Sequence, residues 1–253
     1  MKERTPFLWR IRQRNAMSVL LVYTLAASAT FADTSTAPEH SLDAPHSMHI
    51  IIKMIGPVTQ TTDLQIICVL KHNPAGDQYI QAMKDLNDKL GGLLSSLRDR
   101  SQFIGDPGET LLFTPPANSI TPSRILLIGV GEESKLTLDS LRFAGRIAAR
   151  EAVRLNVAHV SFAPTLRDQG SSRIDVADGD AAIVEQFLLA YDTEKRLQAE
   201  GLSPNDDLRD LTIEAGPKFF DSAIKKVTPA IASAAEQINQ REAAPYHAVG
   251  IAK

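Results

Sequence analysis

Two nearly continuous apolar runs, LQIICVL at Leu64–Leu70 and RILLIGV at Arg124–Val130, constrain this chain more than any other feature. A strand with one wet face alternates apolar and polar residues. A continuous run fits a strand covered on both faces, as in a parallel sheet between helical layers. The flanking segments agree. MHIIIKMI from Met48, VAHVSF at Val157–Phe162 and LRDLTIEA from Leu208 read as further strands, and GDPGETLLFTPP reads as a turn, a short strand and a proline stop. Between them lie helical periodicities. Ile80, Met83, Leu86 and Leu90 mark one helix, which Gly91-Gly92 weakens or ends. Thr137 is placed to cap a second, with Asp139 in its first turn. A polar loop to Gly179 precedes AAIVEQFLLAYDTEKRLQA, for which Asp180 is the expected cap. Phe220, Ile224, Val227, Ile231, Ala234 and Ile238 form a long apolar stripe. Pro229 within that stripe predicts a kink or two abutting helices, with Thr228 as the second cap. The alternation of strands and helices predicts an α/β fold: three α/β/α layers around a mixed, largely parallel sheet, with a long C-terminal helical segment.

The N-terminus has another character. Lys2, Arg4, Arg10, Arg12 and Arg14 precede an uncharged run from Ala16 to Ala29, and Thr30-Phe31-Ala32 ends in small residues. This is the pattern of a Sec-type signal peptide over 1–32, cleaved near Ala32, and it predicts a periplasmic or secreted protein with no stable membrane anchor after cleavage. Residues 33–47, rich in Ser, Thr, Pro and Asp, read as a flexible lead-in, followed by one domain over 48–243 and a patternless tail over 244–253. Residues 1–32 hold five basic side chains and one acid, leaving 22 basic against 29 acidic in the remainder, a net charge of −7. Such a balance disfavours nucleic acid as a partner. The single cysteine, Cys68, sits in an apolar run, so no internal disulfide or paired-thiolate zinc site can form.

Few residues carry recognisable chemistry. Gly129 and Gly131 follow a strand, but a dinucleotide fingerprint needs a third glycine where Ser134 stands, and Glu132 and Glu133 would repel a phosphate. A tight strand exit is the simpler reading, with Gly129, Gly131 and Glu132 as a candidate crevice for a small, nucleotide-like ligand. Arg142, Arg146, Arg150 and Arg154 form a basic stripe, either a solvated face or a surface for an acidic partner. Asp175, Asp178 and Asp180 lack the spacing of a calcium loop. His40, His46 and His49 are too irregularly spaced to read as a metal-binding tail. No catalytic constellation or metal ligand set emerges from the residues.

In order and separation, GDPGETLLFTPP, RILLIGVGEESKLTLDSLRFAGRIAAR and AIVEQFLLAYDTEK resemble the N-terminal domain of the cytosol (leucyl) aminopeptidase family. Gly105, Gly108, Leu112, Arg124, Gly129, Gly131, Arg142, Tyr191, Asp192 and Lys195 occupy comparable places. The resemblance implies a macro-domain-like fold. It also implies that the family's two divalent metals, zinc or manganese, belong to a separate catalytic domain whose N-T-D-A-E-G-R motif has no counterpart in this sequence. The expectation is a stand-alone exported domain without metal or other cofactor, acting as a binding or assembly module through self-association or a separate peptidase chain. The alternatives are aminopeptidase activity by family membership and a small-ligand binder.

Overall fold

A computed structural model describes residues 37–241. The expected signal segment, the first residues of the lead-in and the tail lie outside the described residues. Seven strands form one sheet: β1 (Glu39–Ala44), β2 (Met48–Lys53), β3 (Leu64–Leu70), β4 (Thr110–Phe113), β5 (Ile125–Gly131), β6 (His159–Ala163) and β7 (Asp210–Glu214). Their order across the sheet is β1-β2-β7-β6-β3-β5-β4. The five inner strands run parallel, and β1 and β4 close the two edges antiparallel.

The helices are α1 (Gln81–Lys89), α2 (Leu93–Asp99), α3 (Leu138–Arg154), α4 (Val176–Ala199) and α5 (Phe220–Gln240). The two apolar runs explain the layering. Ile66 and Cys68 of β3 and Leu126 and Ile128 of β5 face a core shared with α3, α4 and α5. The alternate residues Ile67, Val69, Ile125 and Leu127 face a second core with Met83, Leu86 and Leu94 of α1 and α2. Both faces are covered, so neither strand has a polar side to show.

Three expectations need correction. Residues 39–44, read as part of a flexible lead-in, form β1, paired with β2 from Glu39↔Lys53 to Ala44↔Met48. Its polar sequence is no obstacle, because an edge strand exposes most of its side chains and gains its order from backbone pairing. The turn after it holds His46 and Ser47 at positive φ, 61° and 59°. There the His46 ring Nε2 lies 2.9 Å from Asp192 Oδ1. Second, α4 starts at Val176 with Asp175 as its cap, accepting from the Ala177 and Asp178 amides at 3.0 and 3.2 Å. Asp180 lies inside the helix, wholly buried, and not at its end. Third, α5 is one helix that runs through Pro229. Thr228 is interior, and its hydroxyl donates to the Ile224 carbonyl at 2.8 Å.

Candidate functional site

The parallel strands bring their carboxyl ends to one side of the sheet. After β3 the chain turns to α1 on one face, and after the neighbouring β6 it turns to α4 on the other. The divergence leaves a crevice between these two strand ends, the usual ligand position in open α/β sheets. Here Gln169 fills that gap. Its Oε1 accepts from the Leu70 amide at 2.9 Å, and its Nε2 donates to the Cys68 carbonyl at 2.8 Å, so one side chain continues the pairing of β3. Two cavities remain beside the 164–170 loop.

The first cavity, about 170 Å³, is walled by Ile55, Leu141, Leu166, Ile174 and Phe219, with Arg167, Asp168, Asp175 and Glu214 among its polar groups. Asp168 holds the start of α1. Its carbonyl accepts from Ile80 N at 2.8 Å, and its carboxylate faces the Ala82 and Met83 amides. Burial raises the Asp168 carboxyl above its usual range despite those amides. Glu214 accepts from Ser161 Oγ at 2.6 Å, and burial pushes its carboxyl up to about 7. The Gln65 side chain lies against it, and Gln65 Oε1 and Glu214 Oε2 are both buried acceptors without a donor. Ser161, Gln65 and Glu214 thereby bring β6, β3 and β7 together on this face of the sheet.

The second cavity, about 250 Å³, is lined by Lys71, Asp77, Tyr79, Arg98, Glu133 and Gln169, among others. Arg98 is 2% exposed, bonds Asp77 through both Nε and Nη2, and donates to the Leu70 carbonyl at 2.7 Å. Burial works to raise the Asp77 carboxyl, but Arg98, the Asn73 amide and His72 outweigh it and hold it below its ordinary value. This buried pair had no sequence signal. Arg98 sits among polar and apolar neighbours in LLSSLRD that could belong to any surface helix.

The residues expected to form the crevice do not line either cavity. Gly131 N donates to the Gly105 carbonyl at 2.9 Å, and Gly129 exchanges bonds with Glu109 and Gly108 at 2.8 and 2.9 Å. The Glu109 carboxylate gathers the amides of Ile104, Gly105 and Asp106 at 2.7–3.1 Å and so shapes this turn. A side chain at Gly129 would put Cβ 2.2 Å from the Asp106 carbonyl, and one at Gly131 would meet Pro107 at 2.8 Å. These glycines let a backbone turn lie on β5. Gly129→Ala, which no rotamer change can relieve, is expected to cost about 3 kcal/mol in urea unfolding. Glu132 points outward and pairs with Lys135 at 3.0 Å. Glu133 accepts from Ser171 Oγ at 3.0 Å.

The arginine stripe is largely engaged within the chain. Arg142 pairs with Asp139, Arg154 with Glu151, and Arg146 donates to Gln186 while lying over the Phe143 ring. Arg150 is exposed. Among the described residues, no group of three or more His, Cys, Asp or Glu side chains converges as a metal site requires. His49 pairs with Asp43, and His46 with Asp192.

Tyr191, Asp192 and Lys195 are structural. Asp192, 1% exposed, accepts from His46, Arg196 and Arg241 at 2.7–2.9 Å. Tyr191 Oη donates to Asp206, which also faces Lys195 and Gln198, and this cluster fixes the loop between α4 and β7.

A family model described as the cytosol aminopeptidase family, N-terminal domain, matches residues 67–200. A probable cytosol aminopeptidase of Geotalea uraniireducens is 31% identical over 150 residues, covering 56% of this chain and 28% of that relative. The chain thus spans less than a third of that relative's length. Among solved structures, a tomato leucine aminopeptidase mutant aligns with a TM-score of 0.57 at 22% identity, covering 79% of this chain and 38% of that one. An Oceanobacillus iheyensis macrodomain with ADP aligns at 0.55 and 12% identity, covering 79% and 100%. Both show the expected macro-domain-like fold.

Proposed function

Because the chain belongs to the cytosol aminopeptidase family through that family's N-terminal domain, we propose that it is an exported binding and assembly module that does not hydrolyse peptides by itself. The observation that carries this reading is the match itself: the family resemblance falls on the N-terminal domain, and within the described residues no group of three or more acids and histidines converges. Aminopeptidase chemistry with two metals needs several carboxylates converging on both ions. The family-matching residues serve the fold instead. The glycines seat a turn on β5, and Asp192 bonds the side chains of His46, Arg196 and Arg241. The partner is a second copy or a separate peptidase chain. The export reading rests on the basic head and apolar run of residues 1–32.

One experiment with two readouts tests this. Purified protein given Mn²⁺ or Zn²⁺ and a chromogenic leucine substrate is expected to show no turnover. Affinity recovery of the tagged chain from the extracytoplasmic fraction is expected to bring down one defined partner. Metal-dependent hydrolysis that follows the purified chain, or repeated recovery of the chain alone and monomeric, overturns the reading.

A further inference from the structure

The first cavity has an imbalance in its charges. Each of its carboxyl groups already has an internal role. Asp175 caps α4, Asp168 faces the first amides of α1, and Glu214 accepts from Ser161. The two helix N-termini that could hold a phosphate here are therefore already closed by the protein's own acids. Arg167 is the exception. It is exposed, lines the cavity with Phe219, and its guanidinium lies 5.4 Å from the centre of that ring; its charge acts on the adjacent Asp168 carboxyl, but no side-chain hydrogen bond or ion pair to a described residue holds it. The lining is more apolar than polar, with Ile55, Leu141, Leu166 and Ile174 among it, and at about 170 Å³ the cavity is comparable to the roughly 150 Å³ apolar cavity that accepts benzene.

We propose that this cavity binds a small monocarboxylate, with its aliphatic or aromatic body against the apolar wall and its carboxylate on the Arg167 guanidinium. Arg167 offers a planar fork of donors suited to a carboxylate, and the Phe219 ring lies beside it in the lining. A nucleotide is disfavoured by the same layout. Its several phosphate charges would meet Asp168 and Asp175 where a phosphate-binding crevice would present free backbone amides, whereas a monocarboxylate brings one charge to set against Arg167.

The test uses the purified full chain with isocaproate as probe, isocaproamide as its neutral counterpart, and ADP. Calorimetric titration is expected to show saturable isocaproate binding, weaker binding of the amide and none of ADP. Arg167→Met keeps a stem against Phe219 and removes the charge. It is expected to weaken isocaproate about tenfold or more and leave the amide unchanged. Ala82→Phe, at another lining position, is expected to abolish isocaproate binding while circular dichroism stays native. The proposal fails if isocaproate does not saturate, if acid and amide bind alike, or if binding survives Arg167→Met or Ala82→Phe. It also fails if ADP binds more tightly than isocaproate.

Discussion

Asp180→Asn is expected to stabilise the protein at pH 7 by on the order of 4 kcal/mol, raising its melting temperature by roughly 10 °C. Asp180 is wholly buried in α4, and neither of its carboxyl oxygens has a hydrogen-bond partner. Burial, with a smaller contribution from the Asp175 charge, pushes its carboxyl up to about 8 from an ordinary 3.8. The folded chain therefore binds a proton there that the unfolded chain releases. Where the native state holds more protons, stability falls as pH rises. The loss runs from about pH 4 to about pH 8, at about 1.4 kcal/mol per pH unit over most of that window. Glu214 slopes the same way over the narrower range between 4.5 and about 7. Asp77 and Asp192, held below their usual values, lose stability only under more acidic conditions. The wild-type chain is thus expected to be most stable in mildly acidic solution. Asn has nearly the shape of a neutral Asp and no proton to gain, so it should remove the larger part of the slope. Urea unfolding of both proteins at several pH values checks this. Equal slopes would mean that Asp180 reaches a partner or water.

Asp192→Ala is expected to cost about 3 kcal/mol, because removing one member of a buried ion cluster leaves its partners uncompensated. Burial alone would raise the Asp192 carboxyl, but hydrogen bonds from Arg196, His46 and Arg241 outweigh it and hold it below the ordinary value. Those partners come from three places: the β1–β2 turn, α4 itself and the residue after α5. The three partners are a quarter to a third exposed and can turn to water, which keeps the cost at the low end of the range for buried pairs. The loss should also be uneven. The β1–β2 turn, with two residues at positive φ, should show the largest gain in amide exchange, while β3 and β5 keep their protection. Uniform loosening would contradict a local clamp.

The layer architecture was legible because LQIICVL and RILLIGV leave a strand no wet side, and because the glycine-bearing segments follow in a recognisable order. β1 was hidden. Its order comes from pairing with β2, which no property of EHSLDA announces. The misplaced cap has a related cause. Asp175 and Asp180 look alike in DVADGD, and only packing distinguishes the one that meets free amides from the one enclosed in the helix. The crevice was placed at Gly129 and Gly131 because glycines after a strand suit a ligand and a neighbouring backbone equally well. The structure gives that space to the Gly105–Glu109 turn. Arg167 gave no signal at all, since a single arginine in a polar loop becomes distinctive only beside Phe219, about fifty residues later.

Asp192 also orders the birth of the fold in time. The hairpin that it clamps is among the first of the described residues to be synthesised, and Arg241 is the last of them. β2 must wait for β7 to arrive from a segment about 160 residues downstream before it joins the sheet. While the described residues are being made, the sheet therefore keeps an unfinished edge until β7 appears, and the Asp192 clamp is complete only once Arg241 follows α5.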